Sequence, residues 1–153
     1  MDIYTVTFFG HRDFQEHHKY EKKLIKILTD LIRTKEYIEF LVGRNGEFDI
    51  FAASAVKQAQ SIAGKHNSSL ILVIPYHLKD EEYFEKYYDE VEICMESASS
   101  HFKAAIEIRN KKMIDNANLI ISYPVKSTGG TQAALQYAKK TDKQIINLCE
   151  LKI

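Results

Sequence analysis

The residues best suited to chemistry gather in three short turns that contain glycine. The first reads Gly10-His11-Arg12-Asp13, the second Gly43-Arg44-Asn45-Gly46-Glu47-Phe48-Asp49, and the last Ser127-Thr128-Gly129-Gly130-Thr131. Glycine lets backbone N–H groups approach a ligand closely, and a helix that starts after such a turn adds unpaired N–H donors and partial positive charge suited to phosphate. Arg12 can pair bidentately with a phosphate or carboxylate, and Thr131 can add a hydroxyl. Asp49 could accept from ribose hydroxyls, or simply serve as a first-turn acid of its own helix. A fourth segment, Arg109-Asn110-Lys111-Lys112-Met113-Ile114-Asp115, reads as a helix start with Asn110 as N-cap and Arg109 beside the exposed N–H groups. Together these types point to recognition of an anionic nucleotide.

The turns matter only if something brings them together. Five runs rich in β-branched and aromatic residues predict strands at Ile3 to Phe9, Tyr37 to Val42, Leu70 to Ile74, Leu119 to Tyr123 and Gln144 to Leu148, with Val91 to Met95 as a weaker sixth. Most are continuous apolar runs, as expected of parallel strands covered on both faces. Apolar stripes between them predict helices: Tyr20, Leu24, Leu28, Leu31 and Ile32; Phe48, Phe51, Ala52, Ala55, Val56, Ala59 and Ile62, closed by Gly64 as C-cap; Met113, Ile114 and Ala117; and Ala134, Leu135, Tyr137 and Ala138. Alternating β and α elements predict a Rossmann-like three-layer α/β/α domain with a mainly parallel sheet of five or six strands. Five of the six glycines then fall after strands and before helices, at the carboxyl edge where open α/β sheets bind ligands. Glycine is also the ordinary residue of tight turns, so no single loop is decisive.

Composition narrows the function classes. A chain of 153 residues with 45% hydrophobic and 27% charged residues has the length of one domain, 1–153, and needs neither disulfide nor structural metal to build a core. Lys plus Arg and Asp plus Glu both number 21, which argues against a general electrostatic grip on nucleic acid or anionic membrane. Cys94 and Cys149 sit in apolar stretches without a second ligand at metal spacing. With no basic leader and no apolar run of membrane-spanning length, a cytoplasmic protein is expected. Asp80 to Glu96 departs from the pattern, with eight acidic residues against Lys86 alone, interleaved with Tyr83, Phe84, Tyr87 and Tyr88. A solvated insertion with its aromatics packed inward is expected there, a partner surface being the alternative.

Phe8-Phe9-Gly10-His11-Arg12, the Gly43 to Asp49 turn followed by Ala52 and Ala53, Arg109-Asn110 with Met113 and Asp115, and Gly129-Gly130-Thr131 with Ala133 and Ala134 resemble, in that order, the SLOG superfamily. That superfamily includes DprA, the Lonely Guy phosphoribohydrolases and the YpsA-like proteins, and the resemblance is closest to the YpsA-like branch. It implies a Rossmann-like fold, self-association into a homo-oligomer, and binding of a nucleotide or nucleotide-derived ligand, such as a nucleotide, NAD or an ADP-ribose-type molecule, across Gly10, His11, Arg12, Gly43, Gly46, Asp49, Arg109, Asn110, Gly129, Gly130 and Thr131. One departure is informative. Lonely Guy enzymes carry a Glu three residues after the corresponding Thr, and nucleoside deoxyribosyltransferases place a nucleophilic Glu in a similar segment; here the position is Ala134. A methyl group supplies neither proton nor nucleophile, so a binding module is favoured over an enzyme, with Glu47 and Asp49 left as the carboxylates for an N-glycosidase or transferase alternative.

Other combinations carry less. His11, Asp13, His17 and His18 do not gather into a metal-ligand set at helical spacing. Lys19, Lys22, Lys23 and Lys26 alternate with Glu16 and Glu21 and lack an aromatic platform, which reads as a solvated helix face rather than a single-strand binding surface.

Overall fold

The computed structural model describes residues 1–124 and 129–151, so Ser127 and Thr128 of the last turn lie outside the described residues. The chain runs β1 (Ile3–Gly10), α1 (His17–Thr34), β2 (Tyr37–Val42), α2 (Glu47–Ala63), β3 (Ser68–Ile74), α3 (Glu81–Tyr87), β4 (Glu90–Ile93), α4 (Phe102–Asn116), β5 (Leu119–Tyr123), α5 (Gly130–Lys140) and β6 (Gln144–Asn147), and Leu148–Glu150 add a 3-10 turn. The strands form one parallel sheet in the order β4-β3-β2-β1-β5-β6. This is the expected Rossmann-like arrangement. The strand order reverses between β1 and β5, whose ends pair Phe9 with Ser122 and Gly10 with Tyr123, so the two strands end side by side.

Alternating strand residues feed two cores. Val6, Phe8, Phe40, Leu70 and Ile121 meet the buried faces of α1 and α2, including Leu24, Leu28, Phe48 and Val56. Phe9, Leu41, Ile71 and Ile120 meet α4 and α5 through Met113, Ile114, Leu135 and Ala138. Every residue of β3 is buried, which accounts for the unbroken apolar run from Leu70 to Ile74. Gly64 caps α2 at φ +97°, donating its N–H to the Gln60 carbonyl at 2.9 Å.

Several boundaries differ from expectation. The third strand starts at Ser68 rather than Leu70, the edge strand covers Glu90–Ile93 rather than Val91 to Met95, and Leu148 belongs to the closing 3-10 turn rather than β6. The larger correction is α4. It begins at Phe102, not at an Asn110 cap, because its inward stripe is Ala105, Arg109 and Met113 at successive fourth positions, and a buried arginine interrupts the apolar period. The acidic segment holds α3 and β4. Phe84 and Tyr88 pack against the first core as expected, whereas Tyr83 is 69% exposed and points outward. No helix among the described residues is long and apolar enough to cross a membrane.

Candidate functional site

The loops after β1 and β2 are clamped to one another. Glu47 N–H donates to the Arg12 carbonyl at 2.8 Å, Arg12 Nε donates to the Asn45 carbonyl at 3.0 Å, and Phe14 N–H donates to Glu47 Oε2 at 3.1 Å. Asn45 N–H in turn donates to Asp49 Oδ2 at 2.9 Å. Packing explains the glycines here. A Cβ on Gly10 would stand 2.1 Å from the Phe48 ring, one on Gly43 would meet the Arg109 guanidinium at 2.9 Å, and one on Gly46 would meet Arg12 Cα at 2.3 Å. These glycines let side chains and backbone close up, rather than leaving room for a ligand.

The last turn is different. A Cβ on Gly129 or Gly130 would meet nothing within 4 Å. Gly129 is the N-cap of α5 with φ +102°, a conformation that favours glycine, and no side chain among the described residues caps the helix. The first turn of α5 carries no acidic residue, while Glu47 and Asp49 occupy that of α2. Both helices begin at the same sheet edge, but of the two it is the start of α5 that, among the described residues, combines open space with a first turn free of acidic side chains. Thr131 ties this start to β1, its hydroxyl donating to the Gly10 carbonyl at 2.8 Å. The hydroxyl proton is thereby a brace between strands rather than a free donor.

These elements enclose a cleft of about 310 Å³ at the carboxyl edge of the sheet. Its lining includes all eleven residues singled out for ligand binding: Gly10, His11, Arg12, Gly43, Gly46, Asp49, Arg109, Asn110, Gly129, Gly130 and Thr131. Glu47 is absent from the lining, being exposed with its carboxylate turned to the Phe14 amide. Sequence reasoning passed over Asn45 and Ile106, which also line it; Ile106 stands one turn before Arg109 in the half of α4 that the sequence left unassigned.

The two arginines have unlike roles. Arg12 is exposed, and beyond its Nε bond its terminal nitrogens have no partner among the described residues. Arg109 is 2% exposed and sits inside α4, not at a helix start. Its Nη1 donates to the Val73 carbonyl at 3.0 Å, while Nε and Nη2 both donate to Asn110 Oδ1, at 3.1 and 2.9 Å. Burial lowers its affinity for the proton, and the nearby Asp49 carboxylate restores part of it. Asp49 is raised above the usual carboxylate range by burial, against the pull of the Asn45 N–H and Arg109. Ala134 is 6% exposed and packs in the second core, not on the cleft lining.

The residues of this one cleft include types that can hold an anion, at the start of α5, Arg12 and Asn110, and a carboxyl group at Asp49 that can accept hydrogen bonds. No protein-family model and no curated protein matches the sequence. Solved structures do match in shape. The DNA processing protein A (DprA) of Streptococcus pneumoniae superposes with a TM-score of 0.68 at 16% identity over 94% of this chain, which spans about half, 49%, of that protein. The molybdenum cofactor carrier protein MCP of Chlamydomonas reinhardtii gives a TM-score of 0.56 at 14% identity, over 94% of this chain and 75% of that one. The chain has the Rossmann-like fold that it shares with DprA.

Proposed function

We propose that the chain is a ligand-binding module for a nucleotide or nucleotide derivative, holding its phosphate at the start of α5. The observation that carries this reading is the start of α5 at Gly129 and Gly130, which no side chain among the described residues caps or crowds and which lines the same cleft as Arg12 and Asn110. On this reading the chain is one SLOG-type domain, closest to the YpsA-like branch, working in the cytoplasm as a homo-oligomer and serving as a sensor or carrier. The likeness to a cofactor carrier accords with binding rather than turnover. A thermal-shift screen of nucleoside mono-, di- and triphosphates, NAD and ADP-ribose tests it, because a ligand that binds only the folded state stabilises by about 2.7 kcal/mol at a hundredfold excess over Kd. At least one phosphorylated compound raises Tm, and Gly130→Val abolishes the rise. No shift from any of them overturns the proposal.

A second reading, an N-glycosidase or transferase, has one observation in its favour. Asp49 lines the cleft, and burial raises its pKa above the usual carboxylate range, the direction a general acid requires. Release of base by the purified chain would promote it.

A further inference from the structure

The face of the sheet that packs on α4 and α5 is left open over its amino half, where a hollow of about 300 Å³ lies against β1 to β4 and ends at Asn116 of α4. It shares no lining residue with the cleft. Leu41 and Ile71, side by side on β2 and β3, make an apolar floor. The strand register sets a carboxylate on either side of it. Glu39 lies abreast of Ser69 and Glu92 abreast of Val73, so Ile71 stands on the middle strand midway between them. The backbones of β2 and β4 are two strand spacings apart, roughly 10 Å. Glu90, abreast of Ile71, adds a third acid at the rim. Burial and then Glu90 push Glu39 above the usual carboxylate range, and burial, Glu90 and Glu39 do the same to Glu92. None of the three has an ion-pair partner among the described residues. The Lys143 amine, which reaches the end of α4, is taken up by the Asp115 and Ala117 carbonyls at 3.1 and 3.0 Å.

Thr5 adds a polar group of another kind. It is 8% exposed, lies abreast of Glu39 and lines the hollow. Its N–H donates to Asn118 Oδ1 at 2.8 Å and its carbonyl accepts from the Asn118 N–H at 2.7 Å, but its hydroxyl has no hydrogen-bond partner among the described residues. A hydroxyl this deeply buried calls for a partner, which a bound group in the hollow can supply. The occupant must therefore carry positive charge at two separated points, apolar surface between them, and a hydrogen-bond donor at the Thr5 end. The volume is at the bottom of the roughly 300 to 1,000 Å³ range of small-molecule sites, which favours a slender molecule over an element of a folded partner. The whole chain is formally neutral, so the attraction is local to this face. We propose that the hollow binds a linear polyamine, with one ammonium group between Glu39 and the Thr5 hydroxyl, the other at Glu92, and the methylene chain across Ile71. This site is separate from the cleft and does not depend on the nucleotide reading.

Calorimetric titration of the full chain tests the proposal in about 0.1 M salt, which screens exposed charges more than about 10 Å apart. The probes are spermidine, 1,8-diaminooctane, 1,4-diaminobutane and octylamine. Spermidine and 1,8-diaminooctane bind at one site per chain. The shorter diamine, of equal charge, binds at least about tenfold more weakly because it buries fewer methylenes, and octylamine, with one charge, at least about fivefold more weakly. Glu39→Gln and Glu92→Gln, which keep the side-chain shape and relieve the repulsion, each weaken 1,8-diaminooctane by at least about fivefold, and Thr5→Val weakens it by at least about threefold. Glu82→Gln, an exposed acid on α3, leaves it within about twofold. Binding of neither long amine, equal affinity for the two diamines or for octylamine, or parental affinity in the Glu39, Glu92 or Thr5 variant overturns the proposal. So does displacement of spermidine by equimolar magnesium, which would mark a bare acidic cluster, or tighter binding of pentalysine than of spermidine, which would give the face to a basic protein segment.

Discussion

The Thr131 hydroxyl donates to the Gly10 carbonyl at 2.8 Å, joining the start of α5 to the end of β1 across the point where the strand order reverses. The bond fixes the start of α5, where phosphate binding is proposed, relative to β1. Thr131→Val keeps the shape and removes the donor, leaving a half-buried carbonyl short of a partner. The expected cost is about 1 to 2 kcal/mol in urea unfolding, with weaker phosphate binding, while Thr131→Ser restores both. Equal stability of the Val and Ser variants would show that the brace is unimportant.

The sequence made the parallel sheet legible because Leu70 to Ile74 of β3 is apolar without interruption and the other central strands are rich in β-branched and aromatic residues, and it placed the glycine turns at one edge because each follows such a run. It did not separate the glycines. That Gly10, Gly43 and Gly46 exist to admit Phe48, Arg109 and Arg12 depends on residues far away in the chain, which no local pattern reports. The first half of α4 was hidden for a related reason: Arg109 fills an inward position that the apolar period reserves for a hydrophobic residue, and its compensation by Val73, Asn110 and Asp49 exists only in the folded chain.

Gly129 and Gly130 stand next to each other and should respond differently. Gly129 has φ +102° and ψ −176°, a region nearly confined to glycine, so Gly129→Ala is expected to cost about 1 to 3 kcal/mol. Gly130 has no such dihedral and begins the helix, so Gly130→Ala should be within about 0.5 kcal/mol of the parent. The larger Gly130→Val also leaves the fold intact but fills the space before the helix, removing phosphate binding. Denaturant curves with a ligand titration check the contrast, and a folded Gly130→Val chain with parental affinity would count against the turn.

Arg12 and Arg109, alike in sequence, should separate on the same two measurements. Arg12→Ala removes an exposed guanidinium and should weaken a phosphorylated ligand by about 1.5 to 3 kcal/mol with little change in Tm, while barely affecting the matching nucleoside. Arg109→Ala deprives the Val73 carbonyl and the Asn110 amide oxygen of donors and leaves Asp49 without its countercharge. A loss of about 3 to 5 kcal/mol of stability is expected, so any loss of binding there follows from the fold. A stable Arg109→Ala chain would refute its role as a strut.

Asp49 links pH to both stability and the enzyme alternative. Its folded pKa lies above the unfolded value near 3.9, so the neutral acid is the form the fold prefers. The stability this preference contributes is complete below the unfolded pKa and is lost as pH rises through the folded one. Asp49→Asn, neutral and of equal size, keeps an acceptor for the Asn45 N–H and escapes that loss. Its Tm at about pH 7 should equal or exceed the parent's, with the difference shrinking towards about pH 4. The same variant decides the chemistry. With Glu47 occupied by the Phe14 amide, Asp49 is the one carboxylate of the two candidates that lines the cleft. Assays across purine and pyrimidine nucleoside monophosphates should show no release of base above the Asp49→Asn background. Turnover that Asp49→Asn abolishes and Glu47→Gln leaves intact would establish Asp49 as a general acid and replace the binding module with an enzyme.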